Sequence, residues 1–172
     1  MTERALTVRR ATLEDAAELA HVAEQTFTET FGHLYPPEDL ASYVASTYTP
    51  AACLATLEDP RMAYWLLCAE GQPAVGFALA GYCKLPVENL ESTAGELRQL
   101  YVCATHQQRG LGTLLFETAL EWLEQHYSPL YLGVWSGNYA AQRFYGRYGF
   151  AKVGEYGFPV GKTIDRELIF RR

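Results

Sequence analysis

Apolar side chains recur along this chain with two periods, and the switches between them predict its elements. Ala5 to Arg10 reads as a short first strand. Thr12, with Asp15 three residues later, has the form of a capping box, so a helix is expected from Leu13. Leu13, Ala16, Ala17, Ala20, Ala23 and Phe27 then repeat at helical spacing to about Phe31. Gly32 and Pro36-Pro37 break that run. A second helix is expected from Pro37 to about Thr47, with Leu40, Tyr43 and Val44 on its apolar face, and a third, short one from Pro50 to about Leu57.

Strand-like stretches follow. Met62 to Glu70 is rich in aromatic and aliphatic residues, Gly71-Gln72-Pro73 is a turn, and Ala74 to Leu85 reads as the antiparallel partner. Pro86 to Thr93 is a polar loop, and Gly95 to Cys103 is another strand. Leu111, Leu114, Leu115, Thr118, Ala119, Trp122 and Leu123 mark one face of the next helix, with Glu117, Glu121 and Glu124 opposite. Pro129 stops it. Leu130 to Trp135 reads as a strand, a helix from Asn138 ends at Gly149 as a left-handed cap, and closing strands run over Ala151 to Tyr156 and Ile164 to Arg171. The order predicts a mixed α/β layout around one central sheet.

At 172 residues the chain is expected to be one domain over 1–172, long enough for a full core. Nearly half the residues are apolar (49%) and a fifth are charged (20%), as in ordinary globular chains. No apolar run approaches the roughly 20 residues that span a bilayer, so no membrane is expected. The start, Met-Thr-Glu-Arg-Ala-Leu, has no basic region followed by an apolar one; no signal peptide is read there, and the cytoplasm is the expected location. Cys53, Cys68, Cys83 and Cys103 are widely spaced, which predicts neither a disulfide framework nor a metal site. The net charge of −6 is uneven: residues 1–60 hold three basic and ten acidic side chains. An acidic N-terminal third argues against nucleic acid as a partner and suits a cationic substrate.

The segment Leu100 to Phe116 carries the first candidate chemistry. A strand enters a loop bearing Gln107, Gln108, Arg109, Gly110 and Gly112, and a helix follows. Two residues without a Cβ let a ligand approach the backbone. First-turn N–H groups without helical acceptors, the helix dipole and the Arg109 guanidinium together suit an anion such as pyrophosphate. No Lys-Ser or Lys-Thr pair follows the second Gly, and the three-glycine dinucleotide pattern is absent.

Gln107-x-x-Gly110-x-Gly112 between a strand and a helix resembles the acetyl-CoA loop of the GNAT superfamily of N-acetyltransferases. Asn138-Tyr-Ala-Ala-Gln-Arg-Phe-Tyr145-Gly-Arg-Tyr-Gly-Phe150 resembles that family's N-x-x-A-x-x-F-Y-x-x-x-G-F segment, in the expected order. Gln25-Thr-Phe-Thr-Glu-Thr-Phe31, Pro37-Glu-Asp-Leu-Ala-Ser-Tyr43 and Trp135 after Leu-Gly-Val resemble the bacterial pai-operon spermidine/spermine N-acetyltransferases within it. Phe158-Pro-Val-Gly-Lys162 departs from a more acidic segment of those relatives, which puts the acceptor in question more than the cofactor.

The resemblance implies a GNAT-like fold with a mixed, mostly antiparallel sheet of about seven strands flanked by helices. It implies acetyl-CoA as cosubstrate, no metal, a small-molecule amine as partner, and leaves a homodimer open. Glu96, at the family's offset for a base-like glutamate, is the expected base. Its carboxyl would need burial to raise it from about 4.3, because the acceptor's ammonium, near 10.4, must lose a proton before attack. Tyr145 is the expected acid for the departing thiolate.

Leu100, Tyr101 and Val102 are expected to pair with the pantetheine arm as a further strand. Gln107, Gln108, Arg109, Gly110, Leu111, Gly112 and Thr113 are expected to hold the pyrophosphate, with Asn138 and Tyr145 also on the cofactor. Glu29, His33, Tyr35 and Trp135 are expected to meet the acceptor, with Glu38 and Asp39 as further acids near it. The preferred acceptor is a polyamine. The alternatives are an amino acid, an aminoglycoside, a peptide N-terminus, or a CoA-binding regulator without chemistry. A route through Cys103 is disfavoured for want of an activating neighbour.

Overall fold

A computed structural model of the chain describes residues 5–172; the reading of the first residues as free of a signal peptide falls largely on 1–4, outside them. The chain runs β1 (Thr7–Arg10), α1 (Ala16–Phe31), α2 (Pro37–Thr47), α3 (Pro50–Glu58), β2 (Met62–Cys68), β3 (Gly76–Tyr82), β4 (Gly95–Val102), α4 (Leu111–His126), β5 (Leu130–Trp135), α5 (Tyr139–Arg147), β6 (Ala151–Val160) and β7 (Thr163–Arg171). Short 3-10 turns at Leu13–Asp15, Gly32–Leu34 and Ala104–His106 join them. The seven strands form one sheet in the order β1-β2-β3-β4-β5-β7-β6. Of these pairs, β4 with β5 is parallel and the others are antiparallel.

Both faces of the sheet are covered. Met62, Tyr64, Leu66 and Cys68 of β2 pack with α1 residues such as Leu19, Val22 and Phe27. Ala63, Trp65 and Leu67 of the same strand pack with Leu115, Phe116 and Leu123 of α4. A strand buried on both faces reads as one continuous apolar run. The capping box is present, the Thr12 N–H donating to Asp15 Oδ2 at 2.7 Å.

Leu13, expected to open the apolar face of the first helix, is 53% exposed because it sits in the 3-10 turn ahead of α1, and two further expectations need correction. Leu114 was placed on the buried face of α4 but is 43% exposed, whereas Phe116 and Leu120 are buried. Phe116 turns inward because α5 supplies an aromatic nest for it: Phe144, Tyr145 and Tyr148 lie 5.1, 5.5 and 4.6 Å away between ring centroids. β6 was expected to stop at Tyr156 but runs on to Val160. Pro159 is tolerated because β6 is the sheet edge, where a missing N–H costs no ladder bond. The β6–β7 turn passes through Gly161, whose φ of +59° favours glycine, and Val160 is fully buried there.

One irregularity positions the site. The β4–β5 ladder covers only Gly95↔Leu130, Glu96↔Tyr131 and Leu97↔Leu132. A bulge leaves Arg98 as the extra β4 residue between the partners of Leu79 and Ala80. Beyond Leu97 the two strands part, and a gap opens through the sheet.

Candidate active site

Below the gap, β4 leads through the turn Ala104–His106 into the loop before α4. Gln107 Nε2 donates to the Val102 carbonyl at 2.9 Å and fastens the loop to the strand end. Gln108 and Gly110 have φ of 62° and 75°, in the left-handed region. A Cβ placed on Gly110 or Gly112 would meet nothing within 4 Å, so the space above both is open. Gly110 is favoured by its backbone, which lies in the left-handed region. Gly112 lies inside α4, and only an incoming ligand would require it to be glycine. Arg109 is exposed in the loop, and the first-turn N–H groups of Leu111, Gly112 and Thr113 face outward from a 16-residue helix. These residues fit a pyrophosphate.

In the gap lies a cavity of about 340 Å³ that reaches both sides of the sheet. Leu100 and Tyr101 of β4 line it, with Asn138, Ala141 and Tyr145 at its α5 end. Asn138 also caps α5, its Oδ1 accepting from the Ala141 N–H at 3.1 Å. Tyr145 is half-buried, and its hydroxyl makes no hydrogen bond among the described residues; burial pushes its pKa up, so it keeps its proton at any working pH. The tyrosine is then a donor aimed into the cavity.

The other end is walled by Phe27, Phe31, Tyr35, Tyr43 and Tyr48 and floored by β5, β6 and β7. Tyr35 and Trp135, both expected there, are brought together by a residue the sequence reading passed over. The Tyr35 hydroxyl and Trp135 Nε1 donate to the two carboxylate oxygens of Asp165, the latter at 3.0 Å. Two positions on, Glu167 also lines the cavity. Burial and the neighbouring Asp165 push its carboxyl up to about 7. The signal was available: Asp165 and Glu167 alternate with Arg166 and Leu168, and acids are depleted in strands.

Glu96 is on the floor but 7% exposed. Its Oε2 accepts from the Lys84 N–H at 2.8 Å and lies 3.7 Å from Arg98 Nε. Burial raises its pKa, against the opposing pull of the Lys84 N–H and Arg98.

The N-terminal acids are occupied elsewhere. Glu29 Oε2 accepts from the Ala104 N–H at 2.8 Å and ties α1 to the loop before α4. Asp39 accepts from the Lys162 N–H at 3.0 Å and from Thr163 Oγ1 at 2.6 Å, fixing α2 to the β6–β7 turn. Glu38 and His33 are exposed. None of the four lines the cavity. Cys103 is buried and its thiol is pushed up by burial, which opposes a thiolate.

Residues 17–150 match the profile of the acetyltransferase (GNAT) family. The chain is 30% identical over 165 residues to an uncharacterized N-acetyltransferase in the pepI 3′ region of Lactobacillus delbrueckii subsp. lactis, covering 92% of each. It is 28% identical over 141 residues to the spermine/spermidine N(1)-acetyltransferase of Bacillus subtilis, covering 78% of this chain and 88% of that one. In shape it is similar to the PaiA N-acetyltransferase of Thermoplasma acidophilum solved with coenzyme A, with a TM-score of 0.75, 17% identity, and 98% and 99% of the two chains covered.

Proposed function

This chain belongs to the GNAT family and is an acetyl-CoA-dependent N-acetyltransferase, and we propose that residues 1–172 act as one catalytic domain on a polyamine such as spermidine or spermine. The observation that carries the reading is the cavity's mixture of carboxylates and rings. A polyamine alternates ammonium groups with methylene stretches. Glu167 offers charge to the first, and Tyr35, Tyr43, Phe31 and Trp135 offer apolar and π surface to the second, with Asp165 behind them holding Tyr35 and Trp135 in place. The named activity of the Bacillus subtilis relative supports the same choice.

Acetyl-CoA supplies an activated thioester. The loop from Gln107 to Thr113 holds the pyrophosphate on backbone donors and Arg109. Leu100, Tyr101 and Val102 present the β4 edge that β5 leaves beyond Leu97, which suits the amide groups of the pantetheine arm. Asn138 and Tyr145 close the α5 side, and Tyr145 gives a proton to the departing sulfur. The buried Cys103 thiol favours direct attack by the amine over an acetylated cysteine. Much of the rate then comes from holding two reactants in one gap.

A thiol-release assay over spermidine, spermine, putrescine, lysine, aminoglycosides and short peptides tests the acceptor. Highest kcat/KM on spermidine or spermine is expected. A lysine or peptide turned over faster than either polyamine would reassign it.

A further inference from the structure

Two carboxylates reach the cavity floor, and they are held differently. Glu96 is buried, its oxygen takes the Lys84 N–H, and the Arg98 guanidinium lies beside it. That arrangement engages Glu96 and fastens the segment after β3 to β4. Glu167 accepts no hydrogen bond and forms no ion pair among the described residues, although Arg98 lines the same cavity. It pairs across β7 with Trp135 on one side and Tyr156 on the other, so its side chain stands on the cavity face between two aromatic neighbours. We propose that Glu167, rather than Glu96, receives the proton that the acceptor's ammonium must lose.

The electrostatics of the neighbours agree with a Glu167 that faces the cavity. Its charge acts on Tyr35, Tyr101 and Tyr43, and it is the strongest charge acting on Tyr101. Tyr145 acts on that same Tyr101. Glu96 acts on none of Tyr35, Tyr43 and Tyr101, and on Tyr156 it acts less than Glu167 does.

The titratable groups around Glu167 are Tyr35 after α1, Tyr43 on α2, Tyr101 on β4, Tyr156 on β6 and Asp165 on its own strand. Burial raises all four phenols, so they stay neutral, and Asp165 supplies the charge that opposes ionisation of Glu167. A carboxyl brought near 7 takes and returns a proton at neutral pH.

The proton balance closes. The acceptor's ammonium gives one proton to the Glu167 carboxylate. The freed nitrogen lone pair forms the C–N bond to the thioester carbonyl carbon. As the C–S bond breaks, the Tyr145 hydroxyl protonates the sulfur, and the phenolate regains a proton from the new nitrogen centre. One N–H remains in the amide, and Glu167 returns its proton to water.

This inference rests on the gap as the transfer site, not on the polyamine. Its test joins carboxyl NMR titration of the substrate-free protein to pH profiles of Glu167→Gln, Glu167→Asp and Glu96→Gln with spermidine. Glu167 is expected to titrate near 7, and wild-type kcat/KM to fall below that pH and level off above it. In Glu167→Gln the rate at pH 7 should drop roughly 10²–10⁴-fold. It should then climb about tenfold per pH unit as free amine appears, approaching wild type near the amine's own pKa of about 10.4. Glu96→Gln and Glu167→Asp should keep the lower limb. A Glu167 midpoint below about 5, or a Glu167→Gln variant that keeps that limb or is not rescued at high pH, overturns the proposal. If another amine outperforms spermidine and the limb still vanishes, only the polyamine reading falls.

Discussion

The two ends of this cleft are built in opposite ways. The loop before α4 comes from consecutive residues, and its glycines face open space because nothing else in the fold comes near them. The acceptor end is assembled from distant parts: the hydrogen bond from Tyr35 to Asp165 joins residues 130 positions apart. A local site is fixed by short-range geometry, so spacing alone reveals it. A distributed site depends on which strand meets which helix, and spacing says nothing about that. The N-terminal acids make the same point. Their number suggested an acceptor surface, yet Glu29 and Asp39 spend their carboxylates on backbone N–H groups that tie elements together.

The first way to break the contrast is at the α5 end. Tyr145→Phe removes one hydroxyl from an aromatic nest that otherwise remains, so acetyl-CoA affinity should persist while kcat falls roughly 10²–10⁴-fold. A near-wild-type kcat, with chemistry rate-limiting, would return Tyr145 to the core. At the other end, Asp165→Asn weakens charge-assisted bonds to Tyr35 and Trp135, each of the order of 1.5–3 kcal/mol. The acceptor KM should rise about tenfold with acetyl-CoA affinity unchanged. Equal loss of both affinities would mean the two ends are not separable.

Smaller effects sharpen the same line. Raising salt should increase the KM of spermidine a few-fold, since exposed charge attraction is screened over about 10 Å at 0.1 M. Glu29→Gln should leave that KM alone, because its carboxylate serves the Ala104 N–H. A KM that rises in Glu29→Gln as much as in Asp165→Asn would restore the N-terminal acids to the acceptor.

Glu167→Gln carries a stability signature with a definite sign. A carboxyl raised from its usual 4.5 to about 7 in the fold gives up its proton more readily in the unfolded chain. The folded state is therefore penalised as pH rises from the unfolded value through 7. The variant should melt higher than wild type at pH 8, by the order of 2–4 °C if the gain is about 1 kcal/mol, and the gain should vanish near pH 4.

The sheet, its order of elements and most strand and helix limits were legible because apolar periodicity is local. β6 was cut short at Tyr156, where Gly157 and Pro159 interrupt the pattern; burial of Val160 and the Asp39 bonds carry the strand further. Leu114 is exposed and Phe116 buried because α5, thirty residues on, decides which side of α4 is covered. At the site, Gly110, Gly112, Asn138 and Tyr145 stood out by spacing, and Glu96 by being an acid in a strand. Asp165 and Glu167 carried that same signal. What the sequence could not supply was the pairing of β7 with β5, which brings Glu167 to the gap and Asp165 against Tyr35 and Trp135.

The most direct test is a calorimetric titration of acetyl-CoA into the wild-type protein, Gly112→Ala and Gly112→Asp. Since a Cβ at 112 meets no neighbour and glycine is a poor helix residue, both variants should melt no lower than wild type. Gly112→Asp places a negative charge at the pyrophosphate seat and should lose about 10²–10³-fold in affinity, while Gly112→Ala loses far less. Unchanged affinity in the aspartate variant would contradict the account, because the coenzyme would then not lie on the N-terminus of α4.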